Sequence, residues 1–437
     1  MEFVKLEEKE FKKFAYSHEQ ASFHQTIGWG KLKEENGWTC EFLGMKEDKE
    51  IKAATMLLSK MTPIKKKMFY APHGFLLDYK DTKLLDEFLD KVKKHAKEHG
   101  GIFLKIDPYL MKVQRDINGD IVNDGIDNRD VHKYLIEKGF KEINGKRTEQ
   151  TLQGKWIYWI DIKGKTLDEV MKDMTSKTRQ MIRKNEKNGI EVKEAGPEAL
   201  PKFKDIMNHT SERREFLSRS LDYYKQMYDN LNKEDICKIY FAELNLKKQI
   251  KKFEEEKELL QKEYDTKEKD FAAGKLKVNE KKFQAKQNET LEAIKRLEKS
   301  IDEYKELHKK EGEDILILGG IMYMIHGKEV LSFIGGAYSK YLDFQPFYSI
   351  HYELIKYAVE NNYERYNFYG ISGNLKEDDP MYGIYLFKKG FGGEVVELMG
   401  EFDYPISKAY YSLYKTSYGV YHKLKQIKKK LPHRSSK

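Results

Sequence analysis

The chain has 437 residues, 39% of them hydrophobic and 13% aromatic, which gives room for two or three domains with real cores. Its two cysteines, Cys40 and Cys237, are far apart and lack metal-ligand spacing, which excludes a disulfide framework and a cysteine zinc site. The opening stretch, residues 1–14, is charged throughout and no run approaches ~18 apolar residues, so a cytoplasmic chain is expected; a net charge of +9 favours a polyanionic partner, nucleic acid or an anionic membrane surface.

In chain order, residues Glu8 to Tyr16 read as a short helix. Cys40 to Met45 and Ile51 to Lys60 are strand-like runs around the polar turn Glu47-Asp48-Lys49-Glu50, a hairpin pattern, and Met68 to Pro72 is a third strand. Leu84, Leu85, Phe88, Leu89, Val92 and Ala96 form one face of a helix that Gly100-Gly101 stops. Ile102 to Ile106 is a buried strand ending at Asp107-Pro108.

After Trp156 to Asp161, another strand, a single helix is predicted from about Leu167 to Asn188. Lys177, Arg179, Arg183, Lys184 and Lys187 crowd its C-terminal half, where cations suit the helix dipole and phosphate contacts; a plain solvated face fits the spacing as well. The second half then repeats the order of the first. Ile239 to Leu244, Ile315 to Ile325 and Val330 to Ala337 are strands, Tyr348 to Glu360 a helix with Ile350, Leu354, Ile355 and Ala358 on one face, and Tyr366 to Tyr369 a strand ending at Gly370. The repeated order points to an internal duplication.

Between the first two strands of the second copy lies a heptad pattern from Leu244 to Glu311, with Leu246, Ile250, Phe253, Leu260, Tyr264 and Phe271 before Ala272-Ala273-Gly274-Lys275 and Phe283, Thr290, Ile294, Leu297, Ile301 and Tyr304 after it. An antiparallel coiled-coil hairpin follows from it, roughly 40 Å long at about 1.5 Å per residue. Lys257, Lys267, Glu280 and Gln287 fall in the seam, which argues against a free-standing dimerisation device. The hairpin carries 19 basic and 16 acidic side chains, so it is not the seat of the positive charge; the densest basic patch is the tail at residues 423–430.

Two patterns are decoys. Gln25-x-x-Gly28-x-Gly30 imitates an acyl-CoA loop but does not follow a strand, and His95 and His99 lack the glutamate arrangement of a metalloprotease helix, so no metal site is expected.

The order of several short motifs resembles the Fem family of non-ribosomal aminoacyl transferases, which build the peptidoglycan interpeptide bridge from aminoacyl-tRNA. They are Gln25, Trp29, Lys33 and Trp38; Tyr70-Ala71-Pro72-His73-Gly74-Phe75; Lys105-Ile106-Asp107-Pro108; Gly189 after the basic helix; Thr210-x-x-Arg213-x-x-Phe216-x-x-Arg219 before Tyr223-Tyr224; and Phe387-Lys388-Lys389-Gly390-Phe391-Gly392-Gly393. The resemblance runs nearly end to end. It implies an α+β fold of two tandem GNAT-like N-acyltransferase domains with the coiled-coil hairpin inserted in the second: residues 1–155, with segment 401–437 packing back on them, residues 156–400, and the hairpin at 244–311. His73 stands where relatives often carry arginine, so no phosphate role transfers to that position.

The reaction so implied is attack of an amine on the aminoacyl ester. Asp107 matches the aspartate that takes the amine's proton or holds it in line, its bland alternative being a strand-ending turn. Lys388 is the candidate oxyanion donor, against an ordinary surface lysine, and Phe387 a stacking surface for the terminal adenosine. Lys33 and Arg213 match residues gripping the precursor's diphosphate, with Tyr70 and Arg219 as further substrate-binding positions; Lys177, Arg179, Arg183, Lys184 and Lys187 are the tRNA contacts. No cofactor is implied, aminoacyl-tRNA being a co-substrate. The partners implied are aminoacyl-tRNA, lipid II or UDP-MurNAc-pentapeptide, the inner face of the membrane as a peripheral contact, and related Fem-type transferases. The competing functions are an acetyl-CoA-dependent N-acetyltransferase of the GNAT type and a non-catalytic coiled-coil adaptor or RNA-binding protein.

Overall fold

The structure, a computed structural model, describes residues 1–143, 152–214 and 216–417; the basic stretch at 423–430 lies outside them. In chain order the first half runs β1 (Glu2–Lys5), α1 (Glu8–Ser17), α2 (Ile27–Glu35), β2 (Thr39–Glu47), β3 (Glu50–Met61), β4 (Lys67–Ala71), α3 (Thr82–Glu98), β5 (Gly101–Ile106), β6 (Met111–Gln114), α4 (Arg129–Glu137) and β7 (Lys141–Glu142). The second runs β8 (Trp156–Asp161), α5 (Leu167–Asp173), α6 (Ser176–Lys187), β9 (Ile190–Ala195), α7 (Leu200–Arg214), α8 (Leu221–Asn232), β10 (Cys237–Asn245), α9 (Leu246–Ala272), α10 (Glu280–Glu311), β11 (Ile315–His326), β12 (Glu329–Ala337), α11 (Pro346–Glu360), β13 (Arg365–Gly370), α12 (Tyr382–Lys389), β14 (Glu394–Leu398) and β15 (Phe402–Pro405). Helix 408–417 follows.

Two sheets result, in the orders β1-β2-β3-β4-β5-β15-β7 and β6-β14-β8-β13-β12-β11-β10-β9. Each contains the same run of three antiparallel strands, a helix, and a fourth strand parallel to the third: β2-β3-β4-α3-β5 in one, β10-β11-β12-α11-β13 in the other. The local chemistry is that of the sequence. Asp48 and Lys49 both take positive φ, 48° and 72°, as a two-residue hairpin between right-twisted strands requires. Helix α3 starts where the Asp81 carboxylate accepts from the Leu84 N–H and buries Leu85, Phe88, Leu89, Val92 and Ala96 against its sheet.

The halves also exchange strands. Strand β6 leaves the first half to pair with β14 in the second sheet, and β15 returns from the second half to lie between β5 and β7.

Helices α9 and α10 leave from β10 and return to β11, which pair with each other, so the hairpin is an excursion from one sheet. The two helices are antiparallel: Phe271 stacks on Phe283 near the tip, Lys257 pairs with Glu298 midway, and Phe253 meets Tyr304 near the root. The root residues Leu246, Ile250, Phe253, Leu297, Ile301 and Tyr304 belong to the main core.

The single helix expected over about 167–188 is two. Met174 and Thr175 are extended, with ψ of 149° and 154°, and the Thr175 hydroxyl accepts from the Thr178 N–H to start a second helix. Capping by a threonine inside an otherwise helical pattern outweighs the continuing apolar period.

Candidate active site

Asp107 stands one residue beyond β5, beside β4 with which β5 runs parallel. Its Oδ2 accepts from the Tyr70 hydroxyl at 3.0 Å and its Oδ1 from the His73 N–H at 2.7 Å. The turn Ala71-Pro72-His73-Gly74 that presents this N–H needs positive φ at His73 (57°) and Gly74 (75°). Buried Gln25 clamps it: the amide donates to the carbonyls of Pro72 (2.6 Å) and Gly74 (2.8 Å) and its Oε1 accepts from the Met56 N–H (2.7 Å). This explains Gln25 without any acyl-CoA loop, and Gly28 serves packing, since a Cβ there would stand 2.5 Å from the Asn230 carbonyl oxygen of α8.

Burial, reinforced by the neighbouring Glu401 charge, holds the Asp107 carboxyl well above the usual carboxylate range, against the pull of the Tyr70 and His73 bonds. A carboxylate offers about four lone-pair positions, and these two bonds leave room for a further proton. His73 is a neutral spacer: burial lowers it to about 3, its Nδ1 meets the Ser22 hydroxyl at 2.7 Å, and its ring stacks on Tyr109 at 4.6 Å.

Lys33 lies in α2 with its ammonium 4.3 Å from the Trp29 ring. Among the described residues no acceptor meets it, and the buried Trp29 indole N–H has none either. Burial first, then the charges of Arg219 and Lys60, pull Lys33 down to about 8. Asn36 joins the elements carrying these cations: its carbonyl accepts from Lys60 at 3.2 Å and its side-chain amide donates to Gln226 of α8 at 3.1 Å. Donors and cations without a counter-charge among the described residues are the groups an anion would satisfy. Lys60 lies 5.4 Å from the Trp38 ring, and Trp38 is 6.4 Å from Tyr70, so aromatic contacts link the cationic cluster to the Asp107 carboxylate.

The second sheet closes the opposite side. Phe333 of β12 lies 6.4 Å from Trp29 and 5.6 Å from Tyr369 of β13. Tyr369 has a φ of 64°, at a register shift in β13. Its hydroxyl donates to the Gln153 Oε1 at 2.8 Å, and the Gln153 side chain also bonds Tyr70. Lys388 donates to the carbonyls of Phe368 (2.8 Å), Tyr369 (3.2 Å) and Gly370 (2.7 Å). Asp107, Tyr70, Gln153, Tyr369 and Lys388 are therefore one chain of polar contacts from the first sheet to the second.

The other sequence-predicted residues lie as follows. Arg213, at the end of α7, donates to the Ala337 carbonyl (3.1 Å) and the Ser339 hydroxyl (2.9 Å), while Arg219 is the arginine whose charge Lys33 feels. Phe387 packs against Tyr348, His351 and Phe391. On α6, Arg179 donates to the carbonyls of Met171, Lys172 and Met174 at the end of α5. Lys177, Arg183, Lys184 and Lys187 are exposed, without a carboxylate partner among the described residues. The hairpin root holds the end of α6: the Gln249 amide donates to the Lys187 carbonyl (2.9 Å) and the Tyr304 hydroxyl to that of Asn188 (3.2 Å).

Sequence reasoning missed Tyr369, Gln153, Phe333 and Lys60. Tyr369 reads as the last residue of an ordinary strand; nothing in Tyr366-Asn367-Phe368-Tyr369 announces a positive φ. Lys60 was within reach, being next to a turn with three further lysines.

Residues 6–418 match the FemAB family. The aminoacyltransferase FemA of Staphylococcus aureus strain bovine RF122 / ET3-1 is 31% identical over 420 residues, 95% of this chain and 97% of the relative, and FemA of strain N315 is identical to the same extent. Among solved structures, the crystal structure of FemX superposes with a TM-score of 0.81 at 26% identity, covering 94% of this chain and 99% of that one.

Proposed function

We propose, from the premise that this chain belongs to the FemAB family, that it is an aminoacyltransferase of peptidoglycan interpeptide bridge synthesis that takes the aminoacyl group from tRNA and adds it to an amine of a diphosphate-bearing muropeptide, lipid II or UDP-MurNAc-pentapeptide. The observation that carries the acceptor side is the half-buried Lys33, which meets no acceptor among the described residues, beside the equally unpartnered Trp29 N–H and Arg219. A diphosphate supplies the charge and acceptors these groups lack.

In this reading the acceptor amine enters along the wall of Trp29, Trp38 and Tyr70 toward Asp107. The amine attacks the ester carbonyl; the C–N bond forms as the bond to the ribose oxygen breaks, and the amine proton passes to the Asp107 carboxylate, made more basic by burial, and from it to the departing ribose oxygen. Tyr70 and the His73 N–H hold the carboxylate in line. Lys388 fixes the backbone of 368–370 and with it Tyr369; as an oxyanion donor it would exchange one of its three carbonyl bonds for the intermediate. The exposed cations of α6 take tRNA phosphates. No described helix is long and apolar enough to cross a membrane; in this reading a lipid-linked acceptor is met at the membrane surface.

The test is transfer from glycyl-, alanyl- or seryl-tRNA to lipid II and to the nucleotide-linked acceptor by the purified protein, with an Asp107→Asn control. Absence of transfer with all three donors to both acceptors refutes the reading.

A further inference from the structure

Large apolar side chains stand in solvent beside the cations that face Lys33. In the loop between α7 and α8, Leu217 is 84% exposed and Phe216 45%; at the end of β3, Met61 is 61% exposed. Leu217 lies two residues before Arg219 and Met61 next to Lys60, the cations that face Lys33. Asn36 ties their elements together through Lys60 and Gln226.

The charge beside Met61 is one-sided. The loop is balanced, Arg213, Arg214 and Arg219 being offset by Glu212, Glu215 and Asp222, but the stretch 60–67 carries Lys60, Lys65, Lys66 and Lys67 with no acid. Lys66 lies 4.9 Å from the ring of Tyr410 in helix 408–417, which exposes Tyr410 and Leu413 and adds Lys408 and Lys415, again with no acid. Exposed Leu, Met, Phe and Tyr among lysines is the composition of a surface that enters the boundary between lipid headgroups and acyl chains. Leucine and methionine offer a nucleic acid no stacking face, and single-stranded sites are built on aromatics.

We propose that Phe216, Leu217 and Met61, with the lysines of 60–67, form a docking face for an anionic bilayer that sets the Lys33–Arg219 pocket at the bilayer surface. The inference rests on the reading that the acceptor is a lipid-linked diphosphate, and it explains how a recessed cationic pocket reaches a diphosphate that does not leave the headgroup layer.

Flotation of the full chain with phosphatidylcholine vesicles, with and without phosphatidylglycerol, tests it. The wild type should float with the anionic vesicles only. The Leu217→Asp/Met61→Asp variant should lose about tenfold or more in partitioning and keep the wild-type circular dichroism, since both side chains lie outside the core. It should retain transfer to the water-soluble nucleotide-linked acceptor while losing transfer to vesicle-borne lipid II. Wild-type failure to bind anionic vesicles overturns the proposal, as does undiminished partitioning of the variant, or a loss confined to binding of deacylated tRNA. The transferase reading fails differently, by absence of transfer to either acceptor while vesicle binding persists.

Discussion

Asp107 is stabilised by two hydrogen bonds and still resists ionisation, because burial and Glu401 outweigh them. A carboxyl whose folded pKa lies above its unfolded value contributes stability that is complete below the unfolded carboxylate range and is lost as pH rises through the folded pKa. Above the unfolded carboxylate range the buried carboxyl is thus a cost, and Asp107→Asn should leave the melting temperature unchanged or raised while lowering transfer about 10²–10⁴-fold; a parallel loss of both would make the residue structural. Lys33 has the opposite sign. Its cationic form grips the anion, so affinity for the nucleotide-linked acceptor should hold below pH about 8 and fall as pH rises through it. Lys33→Arg should flatten that dependence, because a guanidinium stays charged; titration calorimetry on either side of the transition reads both.

At the scale of elements, α6 separates two kinds of cation that look alike in sequence. Arg179 caps the end of α5 by donating to three carbonyls, whereas Lys177, Arg183, Lys184 and Lys187 meet no protein acceptor among the described residues. Arg179→Ala should cost roughly 1–3 kcal/mol in stability, read by urea denaturation. Neutralising the other four should reduce the slope of log affinity for tRNA against log salt by about 0.7–0.9 for each phosphate no longer neutralised; an unchanged slope removes α6 from the tRNA surface. The hairpin divides in the same way. Its distal part is held by contacts between its own helices, but Phe253, Leu297, Ile301 and Tyr304 are core residues and Gln249 ties down α6. Replacing residues 259–295 by a short glycine-containing turn should preserve folding, while removing 247–309 should lower the melting temperature sharply.

For the whole molecule, what the sequence made legible was what repeats locally. Strand-like runs around a polar turn gave β2 and β3, a buried apolar run gave β5, the 3.6 period gave α3 and α11, and the heptads gave both helices of the hairpin. The repeated strand order was visible for the same reason. Local patterns carry no information about which sheet a short strand joins, so the four-residue β6 and β15 could not be assigned, nor could the Tyr369 bulge or the break at Thr175. In the candidate site, Asp107 and Lys33 were named from motifs, while Gln153 acquires meaning only once the sheets face one another and Lys60 only once β3 lies beside α2. Between the halves, Tyr109 donates to Glu329 at 2.9 Å, and Glu329 pairs with Arg365 at 3.2 Å. In the first sheet, Lys105 reaches both Glu401 (2.8 Å) and Asp403 (2.9 Å). Lys105→Met strands two buried carboxylates and should cost about 3–5 kcal/mol, a loss that denaturation would register even at neutral pH.

The returning strand β15 has a bearing on biosynthesis. While the first half emerges from the ribosome, β5 has a neighbour only on the β4 side; the strand that occupies its other edge, and the Glu401 carboxylate that Lys105 needs, arrive 296 residues later. Until then the nascent chain presents an open apolar edge, Gly101–Ile106, of the kind that recruits other strands. Completion of the first sheet is therefore a late, long-range event, slow by its sequence separation, and the period before it is when that edge is most open to misassociation.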